Sequence, residues 1–508
     1  MSTRESMKEQ SKQHDSESKS EFDLAYLLER IGQSDMQTTA YDTAWVARLS
    51  EFDPDLGLPA LEWLCCNQLP DGSWGSAQPY YYPDRLISTL SAMIALSYRG
   101  RRQSDKRQIE KGLEALEDIT DNAAKGLANV LKGPTVGFEM IVPTLVEQAE
   151  ELGIIRQQKE RILGKISKQR AEKLSLIKGE MINRHVTMAF SAEMAGVDGQ
   201  HMLDSDNLQE RNGSVGCSPS ATAYFALQVK REEKKAIDYL YQSRSKSGGV
   251  PNVAPFDVFE VAWTLWNLSL MPEYPVAYDQ VQHHIDFLSR VWDRTNGAGF
   301  SSEYSVNDSD ETAVVYETLS RHGIQKNVDS IFEFEEEDHF RCFDLENFPS
   351  ISANIHVLGA LRQAGFDQSH PSVKKILAFL QKNRKNENYW DDKWHFSPFY
   401  TTSHAIMVCA GYANDIVSGA VDWLLKMQKP DGSWGITGST PEETSYALQA
   451  LWVWNQTAGQ IPKELFLNGK KWLSDHRSEH PPLWIGKCLY SPVLVVDSAI
   501  HCAISLEI

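Results

Sequence analysis

LEWLCCNQLPDGSWG, Leu61 to Gly75, and VDWLLKMQKPDGSWG, Val421 to Gly435, are one phrase written twice. Trp63 matches Trp423, Gln68 matches Gln428 and Trp74 matches Trp434. In each copy, apolar residues at helical spacing run into a Pro-Asp-Gly turn, which marks a helix end. A Gln amide and a Trp indole at fixed offsets from that turn suit hydrogen bonding and stacking between one helix end and the next loop. These residues are expected to be staples of the fold and not its chemistry. Weaker echoes begin at Leu208 (LQERNGSVGCSPSATAYFAL), Tyr239 and Phe287, each joining a helix end to a Gly-rich turn and another helix. Helical periodicity dominates and strand-like alternation is rare. Such a repeat predicts helical hairpins stacked into rings. Copies near both ends predict an all-α chain of two α/α-barrel (toroid) domains.

The bulk numbers agree. A chain of 508 residues is too long for one ordinary core. A net charge of -19 with no basic stripe argues against nucleic acid as a partner. An anionic substrate would then need a local basic pocket or a metal ion. Seven scattered cysteines without a CxxC pair predict reduced thiols and a cytoplasmic setting. No run is apolar enough for a transmembrane segment. Residues 1–20 carry both charge signs and lack an apolar stretch, so they are expected to be a disordered tail. Arg156 to Lys178, rich in Lys, Arg and Gln, is expected to be a solvated helix or connection.

Between the repeats lies VNDSDETAVVYETL, Val306 to Leu319, where Asp308, Asp310 and Glu311 crowd together ahead of an apolar helical run. The ordinary expectation is a solvated loop that caps a helix, with Thr312 or an Asp at the N-terminus. In a dry site, however, like charge and desolvation both raise a carboxyl pKa. A carboxylic acid kept protonated near neutral pH is a strong general acid. The residues alone leave both open.

QLPDGSWG and QKPDGSWG resemble the QW motifs of class II terpene cyclases. AYDTAWVA (Ala40 to Ala47), DRLISTLSAMIAL (Asp84 to Leu96), VGFEMIVPTL (Val136 to Leu145) and GGVPNVAPFDVFE (Gly248 to Glu260) are similar to diterpene cyclase segments. So are DKWHFSPFYTTSHA (Asp392 to Ala405), EETSYALQAL (Glu442 to Leu451) and PPLWIGKCLY (Pro481 to Tyr490). The resemblance is strongest to the bacterial tuberculosinyl (halimadienyl) diphosphate-forming branch, and kolavenyl- and terpentedienyl-forming branches are also similar. It implies the βγ arrangement of barrels, with a β domain over 21–50 and 272–508, an inserted γ domain over 51–271, and the active site between them.

The resemblance also implies a chemistry. The acidic knot corresponds to the family's DxDD motif, whose middle Asp, here Asp310, is the general acid; Glu311 replaces the last Asp. Asp308 and Glu311 would hold and polarise it, Asn354 would help to position it, and His356 would hydrogen-bond to it. The implied reaction protonates the terminal alkene of geranylgeranyl diphosphate and closes two rings. The product would be a bicyclic diphosphate of halimadienyl, kolavenyl or copalyl type. Trp394, Phe399, Tyr400, Trp484 and Tyr490 are candidates for the cavity wall, where aromatic faces stabilise cations. Tyr490, His356 or a water are candidates for the final base. Neither a DDxxD nor its partner motif is present, since Asp391-Asp392 runs into Lys393 and Trp394; the diphosphate should therefore stay on the product. Arg184, Lys487 and Lys246 are the candidate diphosphate contacts. Glu117, Asp118 and Asp121 of EDITD are the candidate Mg²⁺ ligands.

Implied partners are geranylgeranyl diphosphate and a separate class I synthase or phosphatase that takes the product; monomer and homodimer are both open. The same fold acting on farnesyl diphosphate or squalene is the alternative activity. A mean hydropathy of -0.40 favours a diphosphate substrate over squalene. A non-catalytic α-toroid is the alternative of another class, and it would leave the acidic knot unexplained.

Overall fold

The structure is a computed structural model and describes residues 24–99, 102–121, 135–155, 162–163, 166–176, 181–272, 279–346, 348–386 and 388–508. The expected tail over residues 1–20 lies outside them. Of the connection expected between Arg156 and Lys178, the described parts are residues 162–163 and the helix Ile166–Leu176.

Helix starts are written locally. Asp53, Ser218, Ser397 and Thr440 each accept a backbone N–H of the first turn, and each is followed by a proline at the first helical position. A polar N-cap satisfies a donor that the helix leaves free, and proline there loses nothing because its missing N–H would have had no partner.

Two kinds of helix then alternate along the second half of the chain. Asp257–Leu268, Ser309–Arg321, Ile351–Gln363, Pro398–Cys409, Pro441–Thr457 and Val493–Ser505 are buried over most of their surface. Asp279–Thr295, Pro371–Asn383, Asn414–Met427 and Lys463–His476 bury one face only. A helix apolar all round must lie inside, and an amphipathic one lies outside. Each inner helix packs on the next, and Val493–Ser505 returns to Asp257–Leu268, closing a ring. The first half closes a second ring: Ala40–Ala47, Tyr82–Arg99, Phe138–Glu151, Thr187–Ala195 and Pro219–Tyr224 pack in sequence, and the last meets the first. Each ring has its own hydrophobic core.

These cores move the domain boundaries expected from sequence. Residues 40–49 belong to the first core, not the second, and Asp257–Leu268 belongs to the second, not the first. Ring closure is the reason: each segment supplies an inner helix without which its barrel would stay open.

The QW residues act as staples in both barrels. Gln68 Nε2 donates to Gly72 O (2.7 Å) and Gln108 O (2.9 Å), while Trp74 Nε1 donates to Leu64 O at 2.8 Å. Gln428 Nε2 donates to Gly432 O and Leu465 O, both at 3.0 Å, and Trp434 Nε1 to Leu424 O at 2.9 Å. The turn glycines Gly72 and Gly432 adopt φ of 88° and 93°, which a side chain would strain.

The only strand pair among the described residues is the hairpin Trp484–Ile485 with Leu489–Tyr490, in register Trp484 to Tyr490. Its tip crosses into the first barrel. Gly486 O accepts from Val136 N at 2.8 Å, and Leu489 N donates to Asp84 Oδ1 at 3.2 Å. Among the described residues no helix is long and apolar enough to cross a membrane.

Candidate active site

Asp308 caps the helix Ser309–Arg321, its Oδ1 accepting from Glu311 N at 2.9 Å. The capping expectation is therefore met, but the site is not solvated: Asp308, Asp310 and Glu311 are all buried, Asp310 to 7% exposure. Thr312, one step further, takes no part in the cap. Its Oγ1 accepts from Ala298 N (3.0 Å) and donates to Ala298 O (3.1 Å), clamping the preceding loop to the helix.

The carboxyls divide the work. Burial, then the nearby Asp308 charge, pushes Glu311 well above the usual carboxylate range. Burial pushes Asp308 up to about 7. A protonated Glu311 beside Asp308 relieves the like-charge repulsion of a dry site. Asp310 Oδ1 lies 2.5 Å from His356 Nδ1. His356 Nε2 in turn lies 2.7 Å from His404 Nδ1. With both ring nitrogens engaged, His356 has none left to serve as the final base.

Asn354 does not touch the acid. Its Oδ1 accepts from Phe340 N (2.8 Å), and its Nδ2 donates to Phe340 O (2.8 Å) and Ser350 O (2.7 Å). It occupies the fourth position of its helix, as Thr312 does, and clamps the loop before it in the same way. Geometry thus makes it a staple of the barrel.

Asp310 and Glu311 open on a cavity of about 640 Å³ between the two barrels. Trp394, Trp484 and Tyr490 line it, as expected. Trp484 is anchored by Nε1 to Glu442 Oε1 at 2.7 Å. Burial raises the Tyr490 phenol, so it enters the cavity wall as a neutral group. Phe399 and Tyr400 do not line the cavity. Phe399 packs on Trp423 (4.8 Å between centroids), and Tyr400 packs behind the acid, on His404 (4.3 Å) and His395 (4.7 Å). They sit at the second and third positions of an inner helix, in the barrel's own core.

Sequence reasoning missed the aromatic floor. Phe256 and Phe259 line the cavity and stack on each other at 4.4 Å with planes 20° apart; Phe259 stacks on Trp263 at 4.2 Å and 15°. Phe300 and Tyr304, stacked at 4.3 Å, continue the wall. The signal was present in APFDVFE, which contributed to the family resemblance without being assigned a role.

The expected diphosphate contacts lie elsewhere. Lys487 is fully buried in the first barrel, 2.7 Å from Glu193 Oε1 and Ser218 Oγ and 2.8 Å from Ser220 Oγ. It ties the hairpin to that barrel. Arg184 Nη1 reaches the Gln209 carbonyl at 3.5 Å, Lys246 is exposed in a turn, and neither lines the cavity. Among the described residues, the cations that line it are Lys173, 2.9 Å from Glu139, and Lys393, paired with Glu346.

Glu117, Asp118 and Asp121 are exposed at the end of the helix Gln103–Asp121, away from the acid's cavity. Among the described residues no group of three or more His, Cys, Asp or Glu is arranged to hold a metal ion, so this set does not fit one.

Comparison with known proteins completes the picture. The model of the squalene-hopene cyclase C-terminal domain matches residues 340–478. A type B diterpene cyclase of Mycobacterium tuberculosis is 44% identical over 93% of this chain and 96% of its own. The ent-copalyl diphosphate synthase of a Streptomyces species is 30% identical over 87% of this chain and 86% of its own. The solved ent-copalyl diphosphate synthase from Streptomyces platensis superposes with a TM-score of 0.76 at 26% identity, over 95% of this chain and 98% of that one.

Proposed function

The chain belongs to the class II diterpene cyclases, intramolecular isomerases, and from that premise we propose that Asp310 protonates the terminal alkene of geranylgeranyl diphosphate to start a bicyclisation that keeps the diphosphate. The observation that carries this reading is the Asp310 carboxyl, buried, held by His356 at 2.5 Å and opening on the apolar-walled cavity between the barrels. An alkene is a very weak base, so the acid must be strong and shielded from water, where electrostatic interactions are also strengthened.

The Asp310 O–H bond breaks as a C–H bond forms at the alkene terminus, leaving a tertiary cation. Internal alkenes attack in turn and close two rings. Loss of a proton to Tyr490 or a water, the base candidates left once His356 is engaged, ends the sequence, so product and substrate are isomers. Phe256, Phe259, Trp484 and Tyr490 give the cation aromatic faces, each contributing on the order of 1–2 kcal/mol when desolvated. Lys173 and Lys393 are the cavity cations available to the diphosphate. Mg²⁺ is proposed only as the ion that accompanies it, for which one or two carboxylates suffice; no step above runs through it. The product still carries its diphosphate, so a class I synthase or a phosphatase is the expected next enzyme. All seven cysteines are free thiols, which supports a cytoplasmic setting.

Purified protein given geranylgeranyl diphosphate and Mg²⁺ is expected to yield, after phosphatase treatment, a bicyclic diterpene alcohol by mass spectrometry and NMR. Recovery of geranylgeraniol alone would overturn the proposal, and preferential cyclisation of farnesyl diphosphate would replace the substrate.

A further inference from the structure

We propose that His404 is a positioning residue for the acid: it fixes the ring tautomer of His356, and through it decides which oxygen of Asp310 carries the transferable proton. The inference rests on the reading of Asp310 as the acid.

His404 lies on the inner helix Pro398–Cys409 and is 1% exposed. Its Nδ1 meets His356 Nε2, while its Nε2 is buried with no hydrogen-bond partner among the described residues. Trp266 stacks on the ring at 4.8 Å with planes 20° apart. The titratable groups around it are His356 from Ile351–Gln363, Tyr446 from Pro441–Thr457 at 5.3 Å, Tyr400 on its own helix and, further off, His395. Burial, then the neighbouring histidines, holds His404 well below the usual imidazole range, so it is neutral and carries one N–H.

That proton has two possible seats. On Nε2 it would be a buried donor without an acceptor, and such orphaned N–H groups are rarer in folded proteins than orphaned acceptors. On Nδ1 it donates to His356 Nε2 and leaves only a lone pair without a partner. With its Nε2 accepting, His356 must then carry its ring proton on Nδ1 and donate to Asp310 Oδ1. Oδ1 is therefore an acceptor, and the acidic proton is left to Oδ2 of a carboxyl that lines the cavity.

The opposite tautomer would set the lone pair of His356 Nδ1 against Asp310. The acidic proton would then be drawn into that 2.5 Å contact and away from the alkene. In the forward step the Asp310 Oδ2–H bond breaks and its electron pair stays on the carboxylate. The His356 Nδ1–H bond to Oδ1 shortens as charge develops, and no proton moves along the two histidines. A histidine in the wrong tautomer is known to be costly in acid–base catalysis generally.

The test is made on the full chain labelled with ¹⁵N-histidine, without substrate. NMR is expected to show His356 with a pyrrole-type Nδ1 and a pyridine-type Nε2, and His404 with a pyrrole-type Nδ1. His404→Phe keeps the aromatic stack and removes the donor, so its kcat should fall on the order of 10²-fold with KM changed by less than about twofold and the thermal midpoint preserved. His404→Asn, whose amide can place a donor near the Nδ1 position, should recover about tenfold of that loss. A pyridine-type Nδ1 on His356, unchanged kcat in His404→Phe, or equal damage in the Phe and Asn variants would overturn the proposal. Failure of the acid assignment itself would show separately, as an active Asp310→Asn enzyme, because the tautomer is measured without turnover.

Discussion

Two inner helices of the second barrel begin in the same way and end up with different tasks. DSDET, Asp308 to Thr312, and TPEET, Thr440 to Thr444, place a cap, two acids and a threonine at matching positions. Thr444 Oγ1 clamps Trp434, accepting its N–H at 3.0 Å, as Thr312 clamps Ala298. Glu442 takes His395 Nε2 at 3.2 Å, as Asp310 takes His356.

The difference starts at the cap. Thr440 Oγ1 accepts from Glu443 N (3.2 Å) and donates to Glu443 Oε2 (2.7 Å), a closed two-way exchange between cap and third residue. At the other helix the cap is a carboxyl, so Asp308 can accept from Glu311 N but has no hydroxyl proton to give back. One of the two carboxyls must hold a proton instead. Only this second arrangement borders the cavity. Changing one hydroxyl to a carboxyl at a buried cap turns a structural device into one that stores a proton.

The largest expected effect separates the two second-position acids. Asp310→Asn should lower turnover by at least about 10³-fold with an unchanged circular dichroism spectrum, whereas Glu442→Gln should stay within about tenfold of the parent. Equal losses would erase the distinction between the two helices.

The cap itself gives the next effect. Asp308 ionises near 7 in the fold against 3.8 as its ordinary value, so the folded state holds an extra proton between those pH values. The parent should lose stability as pH rises through that window. Asp308→Asn keeps the cap acceptor and removes the charge. It should therefore gain on the parent by about 3–4 kcal/mol as pH rises from 4 through 7 and hold that margin above, measured by urea unfolding. A margin independent of pH would show that Asp308 is already ionised at pH 4.

The staples come third. Thr312→Val and Thr444→Val each leave a loop N–H without its acceptor, at a cost of about 1–3 kcal/mol, while the loop carbonyls keep the N–H groups of Asp308 and Thr440. Only Thr312→Val should also lower kcat, since it frees the turn that holds the acid. The smallest effect is expected at Glu311, the departure from the family motif. A Glu that is already protonated can be replaced by an isosteric amide, so Glu311→Gln should keep activity within about tenfold. A dead enzyme would mean that Glu311 must ionise during the reaction.

Periodic features were legible in the sequence. The twin QW phrases gave the helical hairpins and the local part of their staples: each Trp reaches a carbonyl of the preceding helix and each Gln one in its own turn, whereas the second Gln bond, to a helix about 40 residues on, was set by the fold. Asp310 and His356 were identified by the family resemblance, and their contact follows from the packing of Ser309–Arg321 on Ile351–Gln363. Asn354 was given its role by the resemblance alone, and its place on the helix gives it another. Two positions apart on a helix, side chains point to different faces, and Asn354 faces the Phe340 loop. Lys487 misled for a related reason: a hairpin that crosses between barrels can bury a lysine, and nothing in PPLWIGKCLY says how far it reaches.

By itself the sequence determined the all-α repeat architecture, the helix starts and the acidic knot, because spacing, caps and turn residues act over one or two turns. Tertiary structure alone decided where each barrel closes, which aromatics face the cavity, and that a second histidine stands behind the first. Those outcomes depend on how inner helices far apart in the chain meet around a ring. The DSDE stretch has the same composition whether it caps a helix in water or lines a dry cavity; only burial between two closed rings gives its carboxyls a reason to keep a proton.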